Sequence, residues 1–155
     1  IKEMTIITNP LINSYKRLVT GYEAPIDITW SMTNRSHLIR IPATRGEDTR
    51  VELRSPDPSA NPYLTLAVCL AAGLDGIENK IAPPAPVRGN VSNLSDEARQ
   101  EAYIESLPKS LEEAINEFEH SDFMKKVLGD HVFEKYIVTR PEIAEYMRKH
   151  SGMNL

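Results

Sequence analysis

Arg50, Glu52 and Arg54 are the residues of this chain whose type and spacing most directly suggest chemistry. Successive side chains of a β-strand point to opposite faces, so these three would share one face and Val51 and Leu53 the other. The charged face reads cation, anion, cation. Guanidinium groups grip phosphate or carboxylate bidentately, and a carboxylate between them offers oxygen to Mg²⁺. The row therefore suits an anionic, metal-bearing ligand. On pattern alone it better suits a solvated strand face with cross-strand ion pairs, because half-exposed strands commonly alternate in this way.

The elements around that row extend the pattern. Arg17, Arg35 and Arg40 lie in the same part of the chain, on or beside short apolar runs where an unpaired charge is costly. Arginines converging from different strands form a site for a multiply charged anion; scatter over the surface is the alternative. Pro25 to Met32 sets Ile26, Ile28, Trp30 and Met32 against Asp27, Thr29 and Ser31, the pattern of a half-buried strand with its apolar side inward. Leu38–Ala43 and Arg50–Ser55 predict two further strands, joined by a polar loop, Thr44–Thr49, around Gly46.

From Asn61 the character changes. Asn61 suits an N-cap and Pro62 the first helical turn. Tyr63 to Leu74 is apolar almost all round, which predicts a helix buried on most sides, with Gly73 and Gly76 marking its end. Such a helix needs more chain around it than its immediate neighbours supply. Pro83, Pro84 and Pro86 make Ile81–Pro86 an extended linker. Ser95 caps a helix reaching toward Ser106, and Ser110-Leu111-Glu112-Glu113 is a capping box for a helix presenting Leu111, Ala114, Ile115 and Phe118 on one face. A further helix starts at Ser121 or Asp122 and stops at Gly129. Asp130 caps the next, to Val138, and Pro141 restarts a last one to about His150.

The 155 residues suffice for one domain with a core, and 41% hydrophobic with 26% charged residues is a globular balance. A net charge of -4 gives no general affinity for nucleic acid or an anionic membrane, so an anion site must be local. No apolar run reaches membrane-spanning length. The lone Cys69 fits a packing thiol in a reducing, cytoplasmic setting. His37, His120, His131 and His150 show no metal-ligand spacing and read as packing or surface histidines. Trp30 reads as core and Lys16 as solvated. The chain opens on Ile1 without a cap signal, which suggests a piece of something longer.

Several segments together carry a family resemblance. Asn13-Ser14-Tyr15-Lys16-Arg17-Leu18-Val19, Gly21-Tyr22-Glu23-Ala24-Pro25, Asn34-Arg35-Ser36, Arg40-Ile41-Pro42 and Glu52 to Leu64 resemble glutamine synthetases in order and near-spacing. Asn9–Lys80 is similar to the class I, bacterial and archaeal type, and Val91–Lys135 is similar more loosely. The resemblance implies an α+β fold, an antiparallel barrel-like sheet backed by helices. Residues 1–155 would form the carboxy-terminal portion of the catalytic domain, with 1–60 strand-rich and 61–155 helical, and the amino-terminal β-grasp domain absent.

It also implies ATP-dependent ligation of ammonia to glutamate through γ-glutamyl phosphate, with Mg²⁺ or Mn²⁺. Carried over by position, Arg17 would hold the glutamate carboxylate. Glu23 would sit on the flap over the acyl phosphate and shape the ammonium site. Arg35 and Arg40 would contact the ATP phosphates, Arg50 would assist there, Glu52 would ligate a metal, and Arg54 would neutralise the glutamate or phosphoryl group. The parent would be a homo-oligomer, the dodecamer of class I, with sites shared between subunits. The remaining metal ligands would lie upstream, so the chain by itself is expected to be inactive. Thr20 replaces the usual proline before the flap. Thr139–Leu155 lacks the Trp- and acid-rich ending that joins two rings, and Asn90–Asn93 lacks a tyrosine for regulatory nucleotidylation. The alternatives are a non-catalytic module binding a partner through apolar surface, and a ligase joining glutamate to an amine or polyamine.

Overall fold

The computed structural model describes residues 1–19, 23–32, 34–91 and 94–150, with residues 96, 143, 144, 147, 148 and 150 as backbone only. Its elements are α1 (Thr5–Thr8), α2 (Ile12–Arg17), β1 (Trp30–Met32), β2 (Ile39–Ile41), a 3-10 turn (Gly46–Asp48), β3 (Glu52–Leu53), α3 (Pro62–Glu78), α4 (Asp96–Glu101), α5 (Leu111–Glu119) and α6 (Asp122–His150). The class is α+β. The strands form a three-stranded mixed sheet in the order β1-β2-β3, with β1 and β2 parallel and β2 and β3 antiparallel.

The helical half forms as its local signals require. Ser110 Oγ accepts from the Glu113 N–H at 3.1 Å, and the Glu113 carboxylate reaches back to the Lys109 N–H at 2.8 Å, one residue earlier than a capping box requires. The face predicted for α5, Leu111, Ala114, Ile115 and Phe118, is buried. Phe118 is fully enclosed and stacks on Phe133 of α6 at 4.7 Å between ring centroids, with Tyr136 at 5.9 Å. These aromatics and the wholly buried α1 make up much of the core.

Several expectations are corrected. Helix α1 and helix α2 stand in the part expected to be strand-like. The β-favouring residues Thr5, Ile6, Ile7 and Thr8 adopt a helical turn because all four are buried against the rest of the core, and tertiary packing outweighs propensity. Pro25–Met32 is a strand only from Trp30, and its polar side is the more deeply buried one, although Ile26 and Ile28 still pack against the core. Asp27, Thr29 and Ser31 are buried, whereas Met32 is 53% exposed. The polar side turns inward because it finds partners there: the Asp27 carboxylate accepts from Arg99 and from Ser106 Oγ. Thr29 Oγ1 lies 2.9 Å from Nδ1 of the enclosed His37, whose Nε2 lies 3.0 Å from the Gly89 carbonyl. A satisfied buried polar group costs little, so an inward polar row is stable here. Trp30 is half-buried, its Nε1–H donating to the Pro84 carbonyl at 2.7 Å.

Helix α3 starts as predicted, with Asn61 Oδ1 accepting from the Tyr63 and Leu64 N–H groups and Pro62 in the first turn. It does not stop at Gly73 or Gly76. It ends where Lys80 takes φ 52° and the Lys80 and Ile81 N–H groups bond back to the Ile77 and Gly76 carbonyls, the Schellman arrangement without its usual glycine. Nor is it buried on most sides: Val68 is enclosed, while Leu66, Leu70 and Ile77 are 69%, 65% and 75% exposed. The reason is that the other elements of the chain pack on one face of α3 only. Val51, expected to face the core, is exposed because the strand covers only Glu52–Leu53. Helix α4 is shorter than expected, closing at Tyr103. Gly129 breaks α6 at φ 73°, as predicted, whereas Pro141 lies inside continuous helix.

Candidate active site

The antiparallel register places Arg40 opposite Glu52. Side chains opposite each other on paired strands meet, and here the Arg40 guanidinium lies 2.6 Å from Glu52 Oε2. Arg50 Nε reaches the other oxygen, Oε1, at 2.9 Å. Both oxygens of Glu52 are thus engaged. The hydrogen bond from Arg40 first, and that from Arg50 after it, hold the Glu52 carboxyl below its ordinary range. This is the cation-anion-cation row expected from the alternation, with Arg40 taking the place beside Glu52 that the sequence pattern assigned to Arg54.

Arg54 lies just beyond β3, its N–H donating to the Leu38 carbonyl at 2.9 Å. Its Nη1 is buried without a hydrogen-bond partner among the described residues. A buried, unspent guanidinium donor is costly in a finished core and marks a place where an acceptor fits.

Arg17, at the end of α2, is held by two other segments, the end of α1 and the turn before α3. Its Nη2 donates to Asn9 Oδ1 at 3.0 Å and to the Ser55 carbonyl, and its Nε lies 3.9 Å from Asp57 Oδ2. Asp57 sits in a tight turn, Oδ1 accepting from the Ser59 N–H at 2.7 Å and from Ser59 Oγ at 2.6 Å, while its own N–H donates to the Thr8 carbonyl at 2.8 Å. Burial pushes the Asp57 carboxyl up, but Ser59, Ser14 and the Arg17 charge outweigh it, and the net shift is downward. Asp57 and Asn9 were not singled out from sequence. The Pro-Asp-Pro-Ser turn was a legible signal for the first; nothing local marks the second.

Arg35 and Glu23 are exposed and make no hydrogen bond or ion pair with the other candidates among the described residues. Thr20, Gly21 and Tyr22 of the expected flap lie outside the described residues, as do Ser92, Asn93 and Ser151–Leu155. Among the described residues no three His, Cys, Asp or Glu side chains gather for one, and Glu52 supplies a single carboxylate already engaged by arginines. His120 Nδ1 lies 2.8 Å from the Asn116 carbonyl at the end of α5, and His131 is exposed. Cys69 is half-buried against the core, its thiol pushed up by burial. Among the described residues no helix is long and apolar enough to cross a membrane.

A family model described as glutamine synthetase, catalytic domain, matches residues 1–155. Among similar proteins, the glutamine synthetase of Methanosarcina mazei is 58% identical over 140 residues, covering 90% of this chain and 31% of that protein. The glutamine synthetase of Thermotoga maritima is 59% identical over 136 residues, covering 88% of this chain and 31% of that one. The chain thus spans about a third of the length of these relatives. A solved structure titled "Apo GmaS without ligand" is similar with a TM-score of 0.76 at 32% identity, covering 99% of this chain and 33% of that one.

Proposed function

The chain belongs to the glutamine synthetase catalytic-domain family, and from that premise we propose that it supplies the arginine side of an active site that ligates ammonia to glutamate at the expense of ATP. The observation that carries the reading is the convergence of Arg40, Arg50 and Glu52 on one sheet face, with Arg54 keeping a buried donor unspent close by in sequence.

The chemistry requires such a face. An oxygen of the glutamate γ-carboxylate attacks the γ-phosphorus of ATP, and the bond to ADP breaks. Nucleophile and electrophile are both anionic, so dispersed positive charge must offset their repulsion. Arg35, Arg40 and Arg50 take the phosphate side, and Arg17 and Arg54 the glutamate side. Ammonium then gives up a proton, the ammonia so formed attacks the acyl carbon, and phosphate leaves, taking up the second proton that the nitrogen must lose to become an amide. Glu23 attracts the ammonium ion and accepts the first proton, and its loop shields the acyl phosphate from water. A divalent metal, when bound, would neutralise phosphate charge. Glu52 would be one ligand among donors supplied from outside this chain, and no step above is routed through the metal.

Residues 1–155 would be the carboxy-terminal portion of the catalytic domain, working inside a homo-oligomer. ATP-dependent glutamine formation, measured on this polypeptide and on a longer natural polypeptide that contains it, tests the proposal. Activity confined to the longer form supports it. Activity in neither form refutes it, and product only with an amine other than ammonia transfers the arginine cluster to a different acceptor.

A further inference from the structure

The way Arg17 is fastened says more than that it is present. Its Nη2 has two hydrogens, and both are taken, by Asn9 Oδ1 and by the Ser55 carbonyl. Its Nε is buried, without a hydrogen bond among the described residues, facing the Asp57 carboxylate at 3.9 Å. Its Nη1 has no partner among the described residues, and the side chain keeps 32% exposure. The guanidinium is therefore held by one edge and open at the other end. Because it is planar, fixing the Nε–Nη2 edge also fixes the direction of both Nη1 hydrogens.

The holders are themselves held. Asn9 is completely enclosed, and its Nδ2 donates to Thr8 Oγ1 at 3.0 Å, which orients the amide with its oxygen toward Arg17. Asp57 is anchored through Ser59 on one side and through the Thr8 carbonyl on the other. Both chains of contacts lead to α1, whose side chains lie in the core. An arginine kept only to stabilise the fold would spend its donors inward. This one spends only its Nη2 hydrogens, on a rigid mount.

Resting on the reading of Arg17 as a holder of the glutamate carboxylate, we propose that Asn9 and Asp57 are positioning residues for that substrate: they clamp the Nε–Nη2 edge of Arg17 so that Nη1 is presented to the carboxylate. Neither touches substrate. Their contribution is orientation, which governs whether the binding energy of a charged hydrogen bond is realised.

The test uses a natural polypeptide that contains this sequence and makes glutamine. Arg17→Gln, Asp57→Asn, Asn9→Ala and the double variant Arg17→Gln/Asp57→Asn are compared for glutamate KM, ATP KM, kcat and melting temperature. Arg17→Gln is expected to raise glutamate KM about a hundredfold, and Asp57→Asn and Asn9→Ala about tenfold each, with ATP KM within about twofold. The double variant should be no worse than Arg17→Gln alone, because the clamp has nothing left to orient. Asp57→Glu should recover part of the loss. If Asp57→Asn does not fold, Asn9→Ala carries the same test. A changed glutamate KM in Arg17→Gln with unchanged values in both Asp57→Asn and Asn9→Ala overturns the positioning role and leaves the Arg17 reading standing. An unchanged glutamate KM in Arg17→Gln overturns that reading and the proposal with it. Equal rises in both KM values, or additive losses in the double variant, would show a merely structural role and overturn the proposal.

Discussion

Replacing Asp27 tests why the segment leading into β1 turns its polar side inward. The Asp27 carboxylate accepts from Arg99 and from Ser106 Oγ, with side-chain exposures of 11% for Asp27 and 25% for Arg99. Breaking a fully buried ion pair by removing one partner costs about 3–5 kcal/mol. Arg99 keeps a quarter of its surface in water, so solvent recovers part of that, and about 2 kcal/mol remains for Asp27→Ala. The backbone bonds from Ile28 N–H to the Glu105 carbonyl and from Leu107 N–H to the Ile26 carbonyl stay in place, so the loss is local. For a chain of this size that corresponds to a melting temperature lower by about 4–8 °C. Urea denaturation of Asp27→Ala, Arg99→Met and the double variant gives the pair energy as a coupling, expected at about 1–2 kcal/mol. The double variant should be more stable than the sum of the single losses, because it leaves no unpaired charge. A loss below about 0.5 kcal/mol for Asp27→Ala, the range of an ordinary surface change, would refute the claim that this contact holds the polar side of the segment before β1 inward.

Further outcomes follow from single residues. Tyr103 sits at φ 50° and is 90% exposed, in the position that a Schellman ending usually gives to glycine; Tyr103→Gly should raise stability by about 1 kcal/mol in thermal melts. The Tyr15 hydroxyl is buried without a partner among the described residues, so Tyr15→Phe should be neutral or stabilising by up to about 1 kcal/mol. Burial pushes the Tyr15 phenol above its ordinary value of 10.0, so the folded state keeps a proton that the unfolded state releases. Stability should therefore fall as pH rises past that value, and Tyr15→Phe should flatten the fall in a pH series of melts. On α3, Val68→Ala should cost about 2 kcal/mol. Leu70→Ala, 65% exposed, should cost less than about 0.5 kcal/mol in the same denaturation series.

What was legible in the sequence was local. Asn61, Ser95 and Ser110 cap helices because a side-chain oxygen satisfies an N–H two or three residues away, and that requires no knowledge of the fold. Gly129 breaks α6 for an equally local reason. The inward Asp27 was not legible, because its partner Arg99 lies 72 residues on. The ends of α3 and α4 were missed because Lys80 and Tyr103 take a backbone conformation usually left to glycine. In the candidate site, charge alternation gave the row Arg50-Glu52, but Arg40 joined it through strand register, which one strand alone does not contain. The mount of Arg17 was hidden for the same reason, since Asn9, Ser55 and Asp57 come together only when α1 and the turn before α3 pack.

The most direct test of the catalytic account follows an oxygen atom. Glutamate labelled with ¹⁸O in its γ-carboxylate is supplied, with ATP and ammonia, to a natural glutamine-forming polypeptide that contains this sequence. Attack of the γ-carboxylate on the γ-phosphorus leaves the attacking oxygen on phosphate when ammonia displaces it. The account predicts a single labelled oxygen in each phosphate released with glutamine. Glutamine formed with unlabelled phosphate would contradict it.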